Sequence, residues 1–210
     1  MDFRLIETMR VSDSGEVPLL ERHLQRLRQS ARHFSFKFDS EKLREAINGA
    51  MPRGPASMRL LLSQNGDLEI SSGTLPSGHP DRLELSTVRV NSKDQFLYHK
   101  TTNRTVYEQA RIGHDENTDV ILINERGELT ETTITNIAVY RDGAWITPAL
   151  SCGLLPGVQR AELLARGDIV EGIIHPEDLS SSDPVRCFNA LRGVFEAALS
   201  PRERAPRSGG

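Results

Sequence analysis

Lys100 opens the run Lys100-Thr101-Thr102-Asn103-Arg104. Glu131 follows inside Glu128-Leu129-Thr130-Glu131-Thr132-Thr133-Ile134-Thr135-Asn136-Ile137, and beyond it comes Gly153-Leu154-Leu155-Pro156-Gly157-Val158-Gln159-Arg160. A lysine can form a Schiff base with a carbonyl, and an acid can hold a pyridinium nitrogen. A Pro-Gly turn that opens a helix can bind a phosphate on its free N–H groups. Together these are the parts of a site for a phosphorylated aldehyde cofactor.

Each part also has a plainer reading. One lysine among many is ordinarily a solvated charge. To attack a carbonyl it must be neutral, so burial and neighbouring cations must lower its pKa. Arg104, read as lying one helical turn after Lys100, is such a cation. An acid in a threonine-rich strand either faces solvent or meets a ligand. Strand alternation puts Glu131 on the face of Thr133 and Thr135, opposite Ile134 and Asn136. Threonine hydroxyls there can bind a ligand's oxygens, but threonine is also simply a good strand former. The N–H groups of Val158 and Gln159 would point at an anion, although Pro-Gly before a helix is common. Arg26 lies off the Leu20, Leu24, Leu27 face of its helix; it is either a surface charge or a group that reaches in to a phosphate.

The elements that must position these residues follow from pattern. Phe3 to Val11 reads as a strand. Leu19, Leu20, His23, Leu24 and Leu27 recur at helical spacing after Pro18, which is placed for a helix start. Asp39-Ser40 caps a second helix bearing Leu43, Ala46 and Ile47. Met58 to Leu62 and Leu68 to Ser71 flank Asn65-Gly66, a hairpin signal, and Asp142-Gly143 is a second one between Ile137–Tyr140 and Ala144–Thr147. Leu83 to Val90, Val120 to Asn124, Ile169 to Ile174 and Val185 to Phe188 read as strands. Thr102 to Ile112 and Val158 to Ala165 read as helices. Hairpins outnumber βαβ units, so the class is α/β or α+β. The expected division is a small N-terminal α/β domain over 1–78, a larger C-terminal domain over 79–200 with the lysine and phosphate site, and a flexible tail over 201–210.

Composition narrows the function classes. With 210 residues and 37% hydrophobic content, the chain can bury a real core. Its net charge of −3 gives no global attraction to nucleic acid or an anionic membrane. No apolar run is long enough to span a bilayer, and Met1 to Glu7 has no signal-peptide pattern. Cys152 and Cys187 lack metal-ligand spacing. A disulfide between them is open but not implied; Cys187 reads as a small core hydrophobe on a strand. A reducing cytoplasm is the simplest compartment.

In this order and spacing the segments resemble the fold-type IV pyridoxal-phosphate-dependent enzymes. This is the class IV aminotransferase family, which includes branched-chain and D-amino-acid aminotransferases and 4-amino-4-deoxychorismate lyase. The resemblance runs from about Ile6 to about Val194. It rests on Glu7-Thr8-Met9-Arg10, on Pro18 to Leu27, on Glu131 to Ile137 and on Leu154 to Arg160. It implies two α/β domains with pyridoxal 5′-phosphate in the cleft, and a homodimer. Lys100 would be the Schiff-base lysine and proton shuttle, and Glu131 the partner of the pyridine nitrogen. Arg26 and the backbone of Val158 and Gln159 would hold the phosphate, completed by Asn189 and Ala190 of a late loop. Arg104 would lie near the ring hydroxyl, and Thr8 near the substrate, where it could assist proton transfer. Arg192 would bind a substrate carboxylate, or is a solvated strand-end arginine.

Lys100-Thr101-Thr102-Asn103-Arg104 and Phe188-Asn189-Ala190-Leu191-Arg192-Gly193 look most like the lyase, above all the lyase-like domain fused after aminodeoxychorismate synthase in some bacteria. The implied reaction takes a small-molecule amine, eliminates pyruvate and leaves 4-aminobenzoate, a folate precursor; the synthase is a candidate partner. An aminotransferase of the same fold is the alternative within the class. A non-catalytic protein that binds the cofactor or a partner is the alternative outside it. In one respect the chain departs from the family pattern. Members carry a further segment with a Gly-Asp-Gly motif before the stretch resembling Phe3-Arg4-Leu5-Ile6-Glu7. An edge strand and part of the site entrance are therefore expected to be missing.

Overall fold

The computed structural model describes residues 3–201; the expected tail lies almost wholly outside them. Two sheets organise the chain. The smaller contains β1 (Leu5–Val11), β2 (Ala56–Leu62) and β3 (Leu68–Gly73) in that order, all antiparallel. Asn65-Gly66 makes the β2–β3 turn, with Gly66 at φ 90°. Against one face pack α1 (Leu20–His33) and α2 (Ser40–Gly49). Leu5, Met9, Met58 and Leu60 meet Leu24, Leu27, Leu43 and Ile47 in one buried cluster. Asp39 caps α2 as its residue type predicts, accepting from the N–H groups of Glu41 and Lys42 at 3.0 and 3.1 Å.

The start of α1 differs from the expectation. Leu20 N–H bonds Val17 O at 3.3 Å, and Leu19 sits at φ 61°. Pro18 therefore occupies the second position of a tight turn with positive φ at the third, and the helix begins only after it.

The larger sheet contains β4 (Arg82–Val90), β5 (Thr118–Asn124), β6 (Leu129–Thr132), β7 (Asn136–Arg141), β8 (Ala144–Pro148), β9 (Val170–Gly172), β10 (Val185–Asn189) and β11 (Gly193–Leu199). Their spatial order is β6-β5-β4-β11-β10-β7-β8-β9. The pairs β4–β5, β4–β11 and β8–β9 are parallel and the rest antiparallel. Asp142 and Gly143 both adopt positive φ, 51° and 83°, in the tight hairpin their types favour. β9 is shorter than the stretch 169–174, and β11 has no counterpart among the expected strands. Cys187 is buried in the sheet core, and both cysteines are free. No described helix is long and apolar enough to cross a membrane.

The expected helix from Thr102 is cut short: α3 spans Thr105–Arg111. Residues 100–102 are instead stitched to β1. Ile6 N–H donates to Lys100 O at 2.8 Å, Thr102 N–H to Arg4 O at 2.9 Å, and Arg4 N–H to Thr102 Oγ1 at 2.9 Å. Backbone groups committed to a neighbouring strand cannot close a helical turn. Arg104 is consequently not one helical turn beyond Lys100; it is the residue that precedes α3.

Candidate active site

A cavity of about 290 Å³ opens between the two sheets. That is the small end of the range for small-molecule sites. Lys100 lines it, half-buried, with its backbone fixed by β1. Burial, then the guanidinium groups of Arg26 and Arg104, lower the Lys100 amine to about 8, against weaker opposition from Glu7 and Glu131. The condition set by the chemistry, a lysine eased toward neutrality, is met.

Glu131 lies on β6 and is buried. Its Oε1 accepts from Tyr107 Oη at 2.8 Å and from Leu155 N–H at 3.0 Å; its Oε2 accepts from Asn136 Nδ2 at 3.0 Å. Burial raises the carboxyl to about 7, against the pull of Leu155 N–H, the Tyr107 hydroxyl, Arg104 and Lys100. A carboxylate offers about four acceptor positions. Three are filled, which leaves one on Oε2 for a ligand donor. The alternation expected here breaks down, because β6 ends at Thr132 and the chain bends. Asn136, assigned to the opposite face, thereby reaches Glu131.

At the other end α4 (Val158–Arg166) begins behind Gly157. Gly157 and Val158 line the cavity; Gln159, one residue further in, does not. A Cβ on Gly157 would collide with the Asn136 side-chain oxygen, so only glycine lets the turn lie this close to the Glu131 clamp. Arg26 is buried and lines the cavity, so it is not a surface charge. Its Nε and Nη2 donate to Glu7 at 2.9 and 2.6 Å, and its Nη1 reaches Pro156 O at 3.4 Å. Glu7 also lies 2.7 Å from His23 Nδ1. Burial alone would raise Glu7, but Arg26 and His23 outweigh it and hold the carboxyl down to about 2.

Asn189, Ala190 and Arg192 line the cavity from the loop after β10. Asn189 shapes that loop by accepting from the N–H groups of Leu191 and Arg192 at 3.0 and 2.8 Å, and it ties it to Ile134 O at 3.1 Å. Arg104 also lines the site. Its Nη2 donates to Thr133 O at 2.5 Å, and its guanidinium lies 4.5 Å from the centre of the Tyr107 ring. Thr8 enters from β1, directly opposite Arg59 on β2.

Sequence reasoning missed Arg59, Tyr107, Asn136 and Glu7. An acid amid the apolar residues of a strand was a signal for Glu7. Arg59, Tyr107 and Asn136 carried none, since each fits an ordinary strand or helix position.

Comparison with known proteins agrees with this geometry. The family model described as amino-transferase class IV matches residues 4–199. A Mesorhizobium loti structure, provisionally named an amino-acid aminotransferase, is 40% identical, with a TM-score of 0.85 over 95% of this chain and 100% of that one. A Schizosaccharomyces pombe protein, provisionally named aminodeoxychorismate lyase, is 34% identical over 88% of this chain and 85% of its own length. The Pseudomonas aeruginosa 4-amino-4-deoxychorismate lyase is 23% identical and shares the fold, with a TM-score of 0.78 over 93% of this chain and 82% of that one. The mixed α/β architecture is that of fold-type IV, and the chain belongs to the class IV amino-transferases, a family of pyridoxal-phosphate-dependent enzymes.

Proposed function

We propose that the chain is a pyridoxal-phosphate-dependent lyase of the 4-amino-4-deoxychorismate type, which releases pyruvate and leaves 4-aminobenzoate. The observation that carries the reading is the joint presence of Lys100, Glu131, Arg26 and the start of α4 around one cavity. The residues fit the cofactor. Lys100 offers an amine eased toward neutrality, Glu131 an unfilled acceptor position, and Arg26 with the α4 N-terminus a seat for a dianion. When bound, pyridoxal phosphate supplies a reactive aldehyde and a ring that accepts electron density.

The chain's own residues divide the remaining work. Lys100 would hold the cofactor's aldehyde carbon and would carry a proton on its Nζ. Glu131 pairs with the ring nitrogen. Arg26 and the N–H groups of Val158 and Gln159 would hold the phosphate, and Asn189 and Ala190 would complete its seat. Arg104 would serve the ring hydroxyl. Thr8 faces the substrate and assists proton transfer. At the mouth, among the described residues, the Arg192 guanidinium donates only to Gly78 O at 3.3 Å, and the Arg59 side chain makes no hydrogen bond or ion pair. Both guanidinium groups are therefore available to substrate carboxylates. The acidic balance of the whole chain makes this cationic mouth a local feature.

An amino-acid aminotransferase is the second reading, favoured by the provisional name of the 40%-identical Mesorhizobium loti protein. One assay separates them. Protein supplied with pyridoxal phosphate and 4-amino-4-deoxychorismate, without any second substrate, is expected to yield 4-aminobenzoate and pyruvate in equal amounts. Product only when a keto acid is added would establish the transaminase instead. No turnover in either mixture, with cofactor bound, would point to a binding protein.

A further inference from the structure

Glu131 is reached by donors from three directions, and only one comes from the segment that carries the lysine. Leu155 N–H belongs to the turn before α4, and Asn136, at the start of β7, is tied to that turn by its Nδ2 donating to Leu155 O at 3.0 Å. Tyr107 belongs to α3, seven residues after Lys100. Its ring is buried, the Arg104 guanidinium covers one face, and its hydroxyl ends 2.8 Å from Glu131 Oε1.

We propose that Tyr107 is a positioning residue that keeps Glu131 anionic and aimed at the ring nitrogen of the bound cofactor. This rests on the reading that Glu131 meets that nitrogen.

A hydroxyl donated to a carboxylate favours its charged form. The proton stays on the phenol, because burial and the adjacent Glu131 raise Tyr107 well above its ordinary range. The charged groups around the pair are few. Glu131 faces Lys100 and Arg104; Tyr107 faces Glu131, Arg104 and, more weakly, Asp94. Among these, Tyr107 is the neutral group whose removal leaves every charge in place. Without it, burial acts on Glu131 with less opposition, and a proton shared with the ring nitrogen moves toward the carboxylate.

The test uses the full chain and Tyr107→Phe, which keeps the ring beneath Arg104. In the cofactor-free protein, the Glu131 carboxyl is titrated by carbon-13 NMR, assigned with Glu131→Gln. The midpoint is expected to rise by roughly one to two pH units in Tyr107→Phe, the shift that corresponds to one lost hydrogen bond to a charged group. In protein loaded with nitrogen-15-labelled pyridoxal phosphate, the ring-nitrogen signal is expected to move toward the unprotonated position. 3-Fluorotyrosine at position 107, a stronger donor of nearly the same shape, is expected to move the midpoint the other way, which a packing defect would not do. Coincident midpoints in all three proteins would overturn the inference. A wild-type protein that binds no cofactor, or binds it with an unprotonated ring nitrogen, would instead overturn the functional reading beneath it.

Discussion

Glu7 makes the sharpest stability prediction. It is buried, accepts two bonds from Arg26 and lies against His23. Glu7→Gln keeps the shape, removes the charge and leaves the Arg26 guanidinium, which has no acceptor, facing a neutral amide. Breaking a buried ion pair on one side costs roughly 3–5 kcal/mol. The titration gives a second route to the magnitude. A carboxyl held at about 2 in the folded chain against 4.5 in its ordinary state corresponds to about 3 kcal/mol at neutral pH. The two routes agree, and for a chain of this size such a loss lowers Tm by roughly 6–12 °C. The sign with pH follows from the lowered pKa. The contribution is complete above 4.5 and disappears as pH falls toward 2, so wild-type stability should drop through that window and the difference between the proteins should close. Thermal melts of both proteins from pH 7 to pH 2.5 measure it. Equal Tm values at pH 7, or a gap that persists unchanged to pH 2.5, would refute the account of Glu7 as the charge that balances Arg26.

Two further outcomes follow from the cavity. Covalent attachment of pyridoxal phosphate to Lys100 requires the neutral amine, so its rate, followed by absorbance and fixed by borohydride, should climb as pH rises through about 8 and then level off. Lowering the amine from 10.5 raises its neutral fraction at pH 7 on the order of a hundredfold, and a rate still climbing steeply above pH 9 would contradict this. Gly157→Ala should weaken cofactor binding roughly tenfold or more, since a forced contact with Asn136 costs about 1–3 kcal/mol. Displacement by inorganic phosphate reads whether the loss lies at the phosphate end, and unchanged affinity would show that the turn yields freely.

How far the sequence reaches depends on whether a signal is local. The hairpins at Asn65-Gly66 and Asp142-Gly143 and the Asp39 cap are set by the conformations those residues favour, and they were legible. Lys100, Glu131 and the Pro156-Gly157 turn stood out by residue type and order, and the fold gathers Lys100, Glu131 and Gly157 around one cavity. What failed was non-local. The helix expected from Thr102 lost its first turn to backbone bonds with β1, a strand almost a hundred residues away. The alternation through Glu131 ended where β6 bends, and only that bend brings Asn136 to the acid. β11 went unseen because its outward residues include Val194, so its polarity does not alternate cleanly.

The bonds that join Arg4 and Ile6 to Lys100 and Thr102 also set how this molecule can breathe. Residues 74–81 connect the two sheets covalently, and one of the places where the sheets are also fastened is the lysine itself. The small sheet cannot swing outward on that connection without tearing the lysine's own main chain from β1. An outward swing would therefore break these bonds and be visible as solvent exchange at the Ile6 and Thr102 amides. A molecule bridging Lys100 and the start of α4 would slow that exchange at the cavity wall, where Ile6 and Lys100 meet.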